Sequence, residues 1–271
     1  MSACLESSSL GAAGPGLVSP STSHEPSQGA ACSAPLEVDS LESRMRRMVK
    51  AVRGTAALIV KHFQDRGVRY RSALVTLTYA PGQSWSPRDI SGLTQHYRDW
   101  ARSRSIPLAG VWVLELQRRG APHYHLLLFL PRGYTPPKPD RQGWWRKGFS
   151  NCVWARSPVG YVAKYASKSQ QKSGEGVAIP KGARMHGHIG LPALVQAARS
   201  WMLAPGWLRE IAPQGTRIVR RGPWWRSLAL GIEWRSPWTL DGFSPPAGGF
   251  GAWTIRLRWV GFTESSVRWV A

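Results

Sequence analysis

The sequence predicts a chain of mixed α and β class. Three observations carry this: β-branched alternation over residues 74–79, two apolar segments that read as an antiparallel hairpin, and helical spacing of apolar residues between them. Residues 1–40 precede this pattern. They are dominated by Ser, Ala, Gly and Pro with few aromatics, a composition that buries too little apolar surface to offset chain entropy, and they read as a disordered tail.

From Leu41 the pattern turns helical. Met45, Met48, Val49 and Val52 form one stripe, ringed by Arg44, Arg46, Arg47, Lys50 and Arg53. Leu74-Val75-Thr76-Leu77-Thr78-Tyr79 then alternates as a strand and stops at Ala80-Pro81-Gly82. The next helix has Ser86 as N-cap, Pro87 at its first position and Asp89 in its first turn, with Ile90, Leu93, Tyr97 and Trp100 as its buried stripe. Residues 111–116 and 123–129 are the hairpin strands, joined through Gly120. A Pro- and Trp-rich stretch, residues 131–154, leads to Ser157-Pro158, a cap and start for a helix carrying Tyr161 and Tyr165. A short helical pattern runs from Leu194 to Trp201. Residues 201–271 form a Trp- and Arg-rich carboxyl-terminal region, whose aromatics suit either stacking on unpaired bases or a small core under a basic surface.

Charge narrows the partners. With 36 Lys and Arg against 15 Asp and Glu the chain carries +21, an excess that marks a polyanion partner. The first 43 residues hold five acids and no Lys or Arg, so the remainder carries 36 basic against 10 acidic groups, or +26. No apolar run reaches the roughly 18 to 20 residues of a membrane span, and the basic-free start lacks a signal peptide's charged region. These features predict a soluble cytoplasmic protein with no membrane partner. Cys4 and Cys32 lie in the tail and Cys152 is alone in the body, which excludes a disulfide framework and a Cys-x-x-Cys zinc site.

Two constellations carry chemistry. In a strand His123 and His125 face one side while Tyr124 faces the other, so both imidazoles can serve one divalent ion. Glu115 on the partner strand supplies the carboxylate, a donor set suited to Mg²⁺ or Mn²⁺. The second His-x-His, His186-Gly187-His188, lacks a strand pattern and reads as a solvated loop. On the last helix Tyr161 and Tyr165 share a face, each with a lysine three positions on, Lys164 and Lys168. Alone, this helix is equally an amphipathic packing element with a solvated lysine face. Beside a metal pair, a tyrosine is a nucleophile for a DNA phosphate and a nearby ammonium favours its phenolate.

These residues resemble the HUH endonucleases, most closely the rolling-circle replication initiators of small single-stranded-DNA phages and related plasmids. Residues 74–78 resemble the first motif, Glu115 with residues 122–129 the metal motif, and residues 161–168 the catalytic helix with the two-tyrosine spacing of the phage branch. The resemblance implies an α+β fold with a central antiparallel sheet flanked by helices, within a nicking domain over residues 41–200. It implies His123, His125 and Glu115 as metal ligands, and Tyr161, Tyr165, Lys164 and Lys168 as catalytic residues. It implies single-stranded DNA or an origin hairpin as substrate, cut to a 5′-phosphotyrosine and a free 3′ hydroxyl inside a bacterial host cell. No Walker A run is present, so unwinding and extension would fall to a host helicase and polymerase. A two-tyrosine transposase or relaxase shares this chemistry, and a non-catalytic basic nucleic-acid-binding protein is the alternative of another class.

Overall fold

The computed structural model describes residues 36–38, 40–117, 120–173, 179–180, 182–244 and 253–270. The elements run β1 (Leu36–Val38), α1 (Ser40–Asp65), β2 (Tyr70–Tyr79), α2 (Asp89–Arg102), β3 (Ala109–Leu116), β4 (Pro122–Pro131), β5 (Gly148–Trp154), α3 (Pro158–Ser173), β6 (His186–Ile189), α4 (Ala193–Met202) and α5 (Gly206–Ile211). After these come β7 (Val219–Arg221), β8 (Trp224–Ser227), β9 (Ile232–Arg235), β10 (Trp238–Ser244), β11 (Trp253–Trp259) and β12 (Val267–Trp269).

A five-stranded sheet in the order β5-β2-β4-β3-β6 is the centre, and every neighbouring pair is antiparallel. The predicted α+β class with a central antiparallel sheet flanked by helices is the fold found. Alternation divides the sheet into two faces. Val75, Leu77, Trp112, Tyr124, Leu126 and Leu128 meet Ile90, Leu93 and Tyr97 of α2 in one core. Val111, Val113, Leu127 and Phe129 face the other way and meet Met45, Met48, Val52 and Ile59 of α1, Val162 of α3 and Val195 of α4. The predicted α1 stripe is therefore a buried one.

Several elements differ from expectation. α2 begins at Asp89 rather than at Pro87, because the Asp89 carboxylate accepts from the Ser86 backbone N–H and from the Tyr79 hydroxyl, at 2.9 and 2.8 Å. Ser86 Oγ accepts from the Arg88 N–H in the turn that leads in. β5 lies inside the stretch read only as Pro- and Trp-rich; its residues 148–154 lack an apolar alternation because one of its faces is open to solvent. Residues 186–188, read as a loop, are strand β6 on the edge of the sheet. Gly187 lies opposite Trp112, and a Cβ there would sit 2.5 Å from the indole ring, so the backbone can pair only without a side chain. Residues 1–35 of the expected tail lie outside the described residues. The end of that tail is ordered, since β1 pairs with β11 and satisfies that strand's backbone groups.

The carboxyl-terminal region forms two further sheets, β1-β11-β10 and β12-β9-β8-β7. α4 runs through position 200 into a small core of Ala204, Leu208, Ala212, Ile218 and Trp234, and Trp201 donates from Nε1 to the Ala212 carbonyl at 3.0 Å. No helix among the described residues is long and apolar enough to cross a membrane.

Leu127 is fully buried between β2 and β3 under α1. Leu127→Ala should cost about 2–5 kcal/mol of unfolding free energy, read as a lower midpoint in urea with an unchanged slope.

Candidate nicking site

The β4 register assembles the site from three strands. Thr78 and Glu115 lie opposite His123 on β2 and β3, and Thr76 lies opposite His125. All of these side chains point to the face that carries α1 and α3, because they share the parity of Val113 and Leu127. Tyr124 points the other way, as expected. Its hydroxyl accepts from Trp85 Nε1 at 2.9 Å and its ring meets Trp112 edge-on.

Polar contacts hold each imidazole. Thr76 Oγ1 is 3.3 Å from His125 Nδ1, Thr78 Oγ1 is 3.1 Å from His123 Nδ1, and Gln117 Nε2 is also 3.1 Å from His123 Nδ1. Glu115 reaches diagonally across the β3–β4 pair to place Oε2 at 2.9 Å from His125 Nε2. Both groups are buried, Glu115 at 7% and His125 at 3% exposure. A hydroxyl can donate or accept, so the threonines tolerate either tautomer and leave Nε2 of each histidine available to another partner. His123 and His125 have ring centroids 4.6 Å apart.

The tyrosine helix lies over this row. Ser157 accepts the Tyr161 N–H through its backbone carbonyl at 3.0 Å in the first turn, and Val162 anchors the helix at full burial. Tyr165 stacks on His125 with ring centroids 3.5 Å apart and planes 16° from parallel. Tyr161, one turn earlier, is 38% exposed. Burial first, then the Glu115 carboxylate and Tyr161, push the Tyr165 phenol above its ordinary pKa. Lys164 is exposed on the same helix, while the side chain of Lys168 lies outside the described residues.

The structure thus brings together His123, His125, Glu115 and Tyr165, with Tyr161 adjacent. Among the described residues no three His, Cys, Asp or Glu side chains are gathered closely enough to hold a metal ion as they stand. The Glu115–His125 hydrogen bond occupies two of the expected ligands with one another. The donor types still suit a divalent cation, provided that this hydrogen bond opens. Sequence reasoning did not single out Thr76, Thr78 or Gln117 as imidazole partners. Their only signal is parity: each falls on the histidine face of its strand.

Residues 72–170 match a family model of replication-associated proteins, the ORF2 family. Over that span, which runs from β2 into α3, the chain is similar to replication-associated proteins and agrees with the resemblance to HUH-type initiators. The matched segment contains both threonines, Glu115, both histidines and both tyrosines. No curated protein and no solved structure matches the chain.

The raised Tyr165 phenol has a consequence at alkaline pH. The folded chain keeps this proton where the unfolded chain, with an ordinary pKa near 10, has lost it, so stability present below that value falls as pH rises through and above it. Tyr165→Phe should make the loss of stability between neutral and alkaline pH shallower, measured by urea denaturation at a series of pH values.

Proposed function

We propose that this protein initiates rolling-circle DNA replication by nicking and rejoining single-stranded DNA at an origin. The observation that carries this reading is the placement of Tyr165 directly on His125, beside Glu115 and His123, within the segment similar to replication-associated proteins. A divalent cation, Mg²⁺ or Mn²⁺, held by His123, His125 and Glu115 would supply positive charge at the scissile phosphate and offset the carboxylate.

The chain's own residues supply the rest. A tyrosine oxygen of Tyr161 or Tyr165 forms a bond to phosphorus as the bond to the 3′ oxygen breaks. The 3′ oxygen departs and takes up a proton, while the 5′ side stays on the protein as a phosphotyrosine ester. The released 3′ hydroxyl is then available for extension. Because the ester conserves one phosphodiester bond, attack by a 3′ hydroxyl reverses the step and frees the tyrosine, and a second tyrosine on the same helix allows a new junction to be cut meanwhile. Lys164, between the tyrosines, adds positive charge for the phosphate, and Lys168, a helical turn further along, is assigned the same role.

An unpaired strand fits the site's surroundings. Phe149, Asn151 and Val153 of β5 share the histidine face, opposite Thr78, Thr76 and Leu74, and all three are exposed. Phe149 is 69% exposed beside Thr78, an aromatic surface on which a base next to the cut can stack. The strip runs on to an open cleft of about 590 Å³ lined by Ser72, Trp154 and Arg156.

Incubation with labelled single-stranded origin DNA and Mn²⁺, followed by a denaturing gel, should give a covalent adduct that chelator abolishes. The double variant Tyr161→Phe, Tyr165→Phe should lose the adduct and retain salt-dependent DNA binding; an adduct surviving in it would refute these nucleophiles. Phe149→Ala should weaken binding of the same strand by about 1–3 kcal/mol, read by fluorescence anisotropy.

A further inference from the structure

The four-stranded carboxyl-terminal sheet has two unlike faces. One buries Trp225, Ile232 and Trp234 against Leu208 and Ile218. On the other, register sets Arg221, Trp224 and Arg235 in one row and Val219, Arg226, Glu233 and Arg268 in the next. This face therefore holds four arginines against one carboxylate, and Arg221, Arg235 and Arg268 are exposed.

Glu233 is 3% exposed and braces two of the arginines. Arg226 Nε lies 2.7 Å from its Oε1, while Arg268 donates from Nη2 and Nε to its Oε2 at 2.6 and 2.8 Å. The Arg268 guanidinium carbon also lies 4.1 Å from the centroid of the Trp224 ring. Edge contacts to a buried carboxylate and an indole against one face hold this guanidinium in place. A buried carboxylate is costly to desolvate, and here it orients charge that side-chain entropy would otherwise scatter.

We propose that this face is a second contact surface for single-stranded DNA, separate from the tyrosine site. The outer plane of Arg268 receives a base, and Arg221 and Arg235 at either end of the neighbouring row hold phosphates. Two features select an unpaired strand. Phosphates of a duplex require only charge, whereas an oriented guanidinium with a free plane matches the π-face that a base exposes when unstacked. The strong positive balance of the chain beyond residue 43 complements the same ligand.

The test uses the full chain carrying Tyr161→Phe and Tyr165→Phe, which prevents covalent capture, and measures anisotropy of a labelled oligo(dT) over a range of salt. Arg221→Ala with Arg235→Ala should weaken binding and reduce the slope of log K against log salt by about 1.4, at roughly 0.7 per phosphate contact on a single strand. Arg268→Lys keeps a cation for Glu233 but removes the plane, and should weaken binding at least fivefold with the slope unchanged. Wild-type affinity and slope in the double arginine variant would overturn the proposal, as would wild-type affinity in Arg268→Lys. A loss confined to duplex DNA would overturn it by assigning the face to paired DNA. Failure of the nicking reading shows itself elsewhere, as an absent adduct with this binding intact.

Discussion

Everything at the candidate site depends on β4 being hydrogen-bonded on both sides, to β2 and to β3. A strand fixed from both edges cannot slip, and a slip of one residue would turn His123 and His125 toward α2 and send Tyr124 to the tyrosine helix. The apolar residues enforce the same parity. Leu126 and Leu128 fill one core and Leu127 and Phe129 the other, so a shifted register would still bury hydrophobes but would place imidazoles beneath Ile90 and Leu93. Chemistry and packing therefore impose one constraint, and the central position of the strand makes it rigid.

The helix that supplies the tyrosines is held more lightly. Val162 is its one fully buried side chain within the first two turns, while Tyr165 is half-buried and Tyr161 is exposed. A nucleophile that must approach a phosphate, carry a DNA end and release it is better served by such a mounting than by burial in a core. The contrast between fixed imidazoles and a lightly held tyrosine pair matches the division of labour between orienting a phosphate and attacking it.

Much of this was legible in the residues because period-2 and period-3.6 patterns report directly on burial. The hairpin, the stripe of α2 and the shared face of His123 and His125 all follow from such patterns, and Glu115 was found from its place on the partner strand. β5 and β6 were not legible. Each is an edge strand, with one neighbour and partial solvent exposure, so neither carries a sustained apolar signal. In β6 the decisive residue is Gly187, whose meaning lies in Trp112, about seventy residues away in the chain. The roles of Thr76 and Thr78 were hidden for a related reason, since the hydroxyls of strand threonines acquire meaning only once the register is known. The ambiguity of the carboxyl-terminal tryptophans resolves residue by residue: Trp234 is core, while Trp224 underlies an arginine on the outer face.

The pairing of β1 with β11 ties Val38 to Trp253, a separation of about two hundred residues. During synthesis the segment that emerges early has no partner until nearly all of the chain has followed it. The central sheet, which draws on residues 70–189, can form before then. Closure of the outer sheet is thus a late event that follows assembly of the histidine row, and the backbone groups of residues 36–38 remain available to other strands in the interval.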